Sequence, residues 1–172
     1  MNKDSSFSYI ILFNMSPKNI FKNFICVTAC VGSGMLVGWL CGSKPDIWYS
    51  SLNKSLLTPP SYIFPIVWTV LYALMGLVYA RLWSEKDPYT KKFDLILFHQ
   101  QWGLNLVWSF LFFKLHRPDE AFWDLIFLIV LNIKILWRWK KKPLFFGLWL
   151  PYVVWLCFAL YLNGVICLEN DL

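Results

Sequence analysis

The side chains in this chain that could act on a small molecule are aromatic rings and amides set at helical spacing. Trp68 and Tyr72 stand four residues apart, with Met75 and Tyr79 following at the same rhythm. Gln101, Asn105 and Trp108 fall at i, i+4 and i+7, and Trp155, Ala159 and Leu162 repeat that pattern. Each set therefore shares one helix face. Such faces bind rather than react: rings offer flat apolar contact, while a phenol and a few amides satisfy polar edges. The chain offers no paired carboxylates, activated nucleophile or metal-ligating cluster for acid–base or hydrolytic chemistry. His99 lies in the first turn of its apolar run and has no partner ligand in the sequence that would mark a haem site. Cys26, Cys30, Cys41, Cys157 and Cys167 sit inside or at the ends of apolar runs without C-x-x-C spacing. They read as packing residues, with no metal site and no disulfide framework implied.

The elements that carry these faces follow from composition. Of 172 residues, 58% are hydrophobic, 20% aromatic and only 15% charged, more apolar surface than a water-soluble domain of this length could hide. The fold class expected is all-α, a polytopic membrane protein built as a five-transmembrane-helix bundle, with the lipid bilayer as its first partner. Spans are predicted at about 20–40, 63–83, 95–113, 121–139 and 144–167, each near the length needed to cross roughly 30 Å of hydrocarbon. Residues 1–19 form an N-terminal tail whose apolar patch, Phe7 to Phe13, is too short to span. Residues 20–170 form the transmembrane domain. The net charge of +6 is spread over short segments between apolar runs, so no nucleic-acid partner is expected.

Between the first two spans lies a loop with Trp48, Tyr49, Pro59 and Pro60. The tandem proline forces an extended entry into the next helix. Trp48 and Tyr49 suit either anchoring at the membrane interface or covering a ligand, so the loop reads as a lid over the Trp68–Tyr72 face. In the first span Cys26, Cys30, Gly34, Gly38 and Gly42 recur every fourth residue, an edge of small side chains that lets another helix approach, within the bundle or in a dimer. Gln101, Asn105 and Trp108 should turn inward, toward neighbouring helices or a ligand. Asp124 is assigned to the positive end of the fourth span, Lys134 snorkels toward the basic run after it, and Pro151 interrupts the hydrogen bonding of the fifth. Twelve Lys and Arg residues fall on one side of this topology and four on the other, which predicts a cytoplasmic N-terminus and an outward-facing lid.

Taken together, W-Y-x-x-L-x-K at Trp48–Lys54, Pro59-Pro60, F-P-x-V-W-T-x-L-Y at Phe64–Tyr72, Met75-Gly76, Gln101-x-x-x-Asn105 with Trp108 and Phe112-Phe113, Asp124, and P-Y-x-x-W-x-x-F-A at Pro151–Ala159 with Leu162-Asn163 resemble the TspO/MBR family of tryptophan-rich sensory and translocator proteins. The resemblance implies a five-helix bundle, often a homodimer, with a cavity beneath the first loop for porphyrin-like tetrapyrroles such as protoporphyrin IX or haem. It carries no cofactor requirement. By motif, Trp68, Tyr72, Asn105, Trp108, Trp155 and Ala159 would line the cavity, and Trp48, Tyr49, Pro59 and Pro60 would belong to the lid. Binding, sensing or translocation is favoured over catalysis. Two alternatives remain: light-dependent porphyrin breakdown, with Trp68 and Trp155 as electron-donating indoles, and a regulatory protein that binds partners through the small-residue edge.

Two departures from the family pattern carry expectations. Ser55 stands where the family commonly has proline, which predicts a looser lid. No basic residue follows Asn163, which makes sterol a less favoured ligand. The short tail after the last span favours a bacterial membrane over a mitochondrial outer membrane.

Overall fold

The computed structural model describes residues 17–42 and 47–170. The expected patch at Phe7–Phe13 and the stretch around Pro45 lie outside the described residues. Helix α1 runs Pro17–Leu40, α2 Ile47–Ser51, α3 Ile63–Leu82, α4 Pro88–Ser109, α5 Pro118–Trp139 and α6 Pro143–Glu169. Five of these are long, as the hydropathy pattern predicts. The sixth, α2, is a single helical turn inside the lid, too short to show in hydropathy.

Proline starts most of the long helices. Pro17, Pro88, Pro118 and Pro143 each occupy a first helical position, where a missing N–H costs nothing and the fixed φ is already helical. Asp87 adds a side-chain cap, accepting from the Thr90 N–H at 2.8 Å. That cap extends α4 by two turns beyond the expected start near Leu95. Residues read as a charged connection are therefore helical, and Asp94 is fully buried. The same displacement applies to α5. It begins at Pro118, so Asp119 and Glu120 occupy its first turn and Asp124 lies well inside the helix, not at its positive end. Pro151 sits within α6, which continues past it to Glu169.

Among the described residues, α1, α3 and α6 are the helices both long and apolar enough to cross a membrane. The polar residues that lower α4 and α5 point inward: Asp94, Gln101, Asn105 and Asn132 are buried, while Ile96, Val107, Phe127, Val130 and Ile133 are exposed. A helix can face lipid on one side and hold amides on the other. The bundle core is continuous from Leu71, Met75 and Val78 of α3 through Phe98 of α4 to Leu128, Ile135, Trp149 and Leu156 of α5 and α6.

Helix α1 lies at the edge of the bundle and packs chiefly on α3. The approach is closest at Gly76, where a Cβ would stand 2.5 Å from the Val27 Cα, and at Gly34, where it would strike the Tyr72 ring at 2.3 Å. The predicted small-residue edge thus packs internally as far as Gly34. A Cβ at Gly38 would meet nothing within 4 Å among the described residues, and Gly42, at φ 100°, has left the helix.

The loops grouped by the charge count also group in space. At one end, Lys22 donates to Ser84, and Lys142 bonds Glu85 at 3.1 Å. At the other, the lid meets both the α4–α5 connection and the end of α6.

Candidate functional site beneath the first loop

The lid is built around its own short helix. Lys54 folds back so that its ammonium donates to the carbonyls of Tyr49 and Leu52, each at 2.7 Å, capping the C-terminal end of this short helix. Two aromatic residues then face downward. Trp48 stacks on His116 at 4.3 Å and meets Phe112 edge-on at 5.7 Å, while Tyr49 meets Phe112 and Phe113 at 6.1 and 6.0 Å. Burial against these rings pushes the Tyr49 phenol pKa up.

The rings under the lid are presented by a change of helix type. After Ser109, α4 widens into a π-helical turn, Phe110–Lys114, closed by Leu115 N–H donating to the Phe110 carbonyl at 3.0 Å. The extra residue per turn directs Phe112 into the core, stacked on Trp108 at 5.3 Å. His116 then adopts φ 55°, reversing the chain toward α5.

Below the lid the structure brings together four of the six predicted lining residues. Trp68 lies 5.6 Å from Tyr72 and 6.4 Å from Trp108. The Tyr72 hydroxyl donates to Asn105 Oδ1 at 2.5 Å, and Asn105 Nδ2 donates to the Tyr152 hydroxyl at 3.1 Å, so one amide ties α3, α4 and α6 together. Trp108 Nε1 donates to Asn163 Oδ1 at 3.2 Å, and Asn163 Nδ2 donates to the Pro118 carbonyl at 2.8 Å. Ala159 is buried on α6. Trp155 takes a different place: its ring partners are Phe64 and Phe158, and it lines an apolar groove of about 550 Å³ between α3 and α6, with Val67, Val70 and Pro151.

Tyr152 and Asn163 are hydrogen-bonded into this cluster but are absent from the lining set implied by the family motif. Both stand within the matched blocks, and Asn163 is an amide in an otherwise apolar helix. That polarity is the signal that could have found it.

The lid is also fastened at its far end. Asn53 N–H donates to Asn170 Oδ1 at 2.9 Å, Asn53 Nδ2 to the Glu169 carbonyl at 3.1 Å, and Asn170 Nδ2 to the Asn53 carbonyl at 3.0 Å. Ser55 Oγ shares a hydrogen bond with the Tyr161 hydroxyl at 2.9 Å and accepts from the Leu57 N–H at 3.1 Å. Ser55, where the family commonly has proline, thus also tethers the lid to α6. Of the tandem prolines, Pro59 is half-buried and Pro60 exposed.

An aromatic cluster beneath a capped lid, carried by five long helices, is matched by a model of the TspO/MBR family over residues 26–168. The chain belongs to the TspO/MBR family. Among curated relatives, it is 34% identical to the tryptophan-rich protein TspO of Archaeoglobus fulgidus, over 88% of this chain and 99% of the relative. It is 33% identical to the tryptophan-rich protein TspO of Chlorobaculum tepidum, over 87% and 98%. With the translocator protein of Homo sapiens it shares 31% identity over 72% of this chain and 75% of that one. As a TspO/MBR member with apolar spanning helices, it is an integral membrane protein. The family match begins within α1, at Cys26, and contains the whole lid and every residue of the aromatic cluster.

Proposed function

We propose that this TspO/MBR protein binds a porphyrin-like tetrapyrrole beneath the first loop, and senses or translocates it, in keeping with relatives named as sensory and translocator proteins. The observation that carries the reading is the Trp68–Trp108 pair set above the Tyr72–Asn105–Tyr152 hydrogen bonds. Indoles suit the faces of a large flat macrocycle, and a phenol–amide–phenol chain suits its polar edge. Trp68 and Trp108 are already within stacking range of each other, so a macrocycle between them must part the rings and lift the lid.

Titrating protoporphyrin IX into the detergent-purified protein tests this. Saturable quenching of tryptophan fluorescence, weakened by Trp68→Phe, is the expected result. Linear, non-saturating quenching that is the same in wild type and variant would remove the reading.

A further inference from the structure

Gln101 is fully buried, and neither its Oε1 nor its Nε2 has a hydrogen-bond partner. A buried amide left unpaired is costly, because each polar atom has lost water and gained nothing. Its neighbours on the same helix face locate it. One turn before it, Phe98 contacts Tyr79 of α3 and Trp149 of α6, at 4.7 and 5.7 Å. One turn after it, Asn105 bridges Tyr72 of α3 and Tyr152 of α6. Gln101 therefore lies in the same seam between α3 and α6, one helical turn deeper than the Tyr–Asn–Tyr chain. In that chain the Tyr152 hydroxyl accepts from Asn105 and still has its own proton to donate.

We infer that Gln101 forms the floor of the binding site and recognises a ligand edge carrying a donor and an acceptor side by side. A neutral carboxylic acid and a lactam both present that pair, and either matches a primary amide through two parallel hydrogen bonds. A charged carboxylate does not fit, since nothing at this depth among the described residues of the seam offers it a counter-charge. The inference rests on the proposed tetrapyrrole site and adds what its deep end selects.

Three probes separate the sources of that chemistry. Protoporphyrin IX carries carboxyl groups, biliverdin dimethyl ester keeps only its lactams, and protoporphyrin IX dimethyl ester has neither edge. In the full chain, Gln101→Met should weaken protoporphyrin IX, biliverdin dimethyl ester, or both, by about tenfold, the scale of one or two lost neutral hydrogen bonds, and leave the porphyrin diester within about twofold. Whichever probe responds names the edge that is read. Equal changes for all three probes, or none, would overturn the inference, as expected if Gln101 merely holds a structural water. Failure of every probe to bind the wild type would instead remove the tetrapyrrole site itself.

A measurement on the native sequence keeps the test independent of folding. Gln100 and Gln101 are the only glutamines in the chain, and Gln100 is exposed. With 15N-glutamine labelling, the side-chain amide signals of Gln101, assigned by Gln100→Ala, should shift on adding a responding probe and not on adding the diester. Signals that stay fixed with every bound probe would also overturn it.

Discussion

Asn53 and Asn170 hold each other by reciprocal hydrogen bonds: the backbone N–H of Asn53 donates to Asn170 Oδ1 at 2.9 Å, and Asn170 Nδ2 donates back to the Asn53 carbonyl at 3.0 Å. Asn170 also donates to the Ile166 carbonyl at 2.8 Å, which fixes its amide to the end of α6. The lid is thus clasped to the last turn of the chain's last helix. Asn170→Ala deletes these bonds without touching the aromatic cluster. Each neutral bond contributes about 1 kcal/mol, so stopped-flow fluorescence should show protoporphyrin IX association and release both about tenfold faster, with the dissociation constant little changed. Unchanged rates would mean that the clasp does not control entry.

The Ser55–Tyr161 pair is the second fastening. Tyr161→Phe removes only the hydroxyl that Ser55 bonds at 2.9 Å, on a residue that is about half exposed. Ligand exchange should quicken by roughly threefold and thermal stability should barely move, since a solvent-accessible bond is worth about 1 kcal/mol or less. Unchanged or slower exchange would mean that this bond does not hold the lid down.

Gly76 and Gly38 should respond oppositely to the same change. In Gly76→Ala the new methyl would meet the Val27 backbone, which cannot rotate away, and separating α1 from α3 should cost about 1–3 kcal/mol. In Gly38→Ala the methyl meets open space, and the gain in helix propensity is about 1 kcal/mol. Melting temperatures in detergent should therefore fall for the first and hold or rise for the second. Equal behaviour would mean that α1 sits elsewhere on the bundle.

Much of this was readable from residue spacing. Five long helices follow from apolar runs, and the inward turn of Gln101, Asn105 and Trp108 follows from polar groups at helical spacing in a lipid-facing chain. What spacing could not supply is rotation about the helix axis. Trp155 and Ala159 share a face by periodicity, yet Ala159 is buried while Trp155 edges onto the groove beside Phe64 and Phe158. Caps, not hydropathy, set the helix starts: Asp87 and Pro88 draw α4 back over charged residues. The clasp between Asn53 and Asn170 joins residues 117 apart and leaves no periodic trace.

Glu85 makes stability depend on pH at the opposite end of the bundle. The hydrogen bond from Lys142 holds its carboxyl pKa below the ordinary 4.5. A folded-state pKa that is lowered gives stability present above the unfolded value and lost as pH falls through the folded one. Melting temperature should decline below about pH 4.5, and Glu85→Gln should remove part of that decline. The pair is partly exposed, so its contribution at neutral pH is about 0.5–1 kcal/mol. An identical acid limb in Glu85→Gln would assign the decline to other carboxylates.

Asp94 and Arg138 provide the sharper electrostatic test, because one partner is buried and the other is not. Arg138 Nε donates to Asp94 Oδ1 at 2.5 Å, with 1% of the aspartate side chain exposed against 34% of the arginine, and Lys142 Nζ stands 3.8 Å from Oδ2. Removing the arginine strands a carboxylate inside the bundle. Removing the carboxylate leaves a cation that can reach water and rest on the Phe93 ring, 4.6 Å away. Arg138→Met should therefore cost about 3 kcal/mol, tempered by Lys142, and Asp94→Asn less. The double variant should be more stable than Arg138→Met alone, since the stranded charge is then gone. Strict additivity in detergent-unfolding measurements would show that the two side chains do not act as a pair.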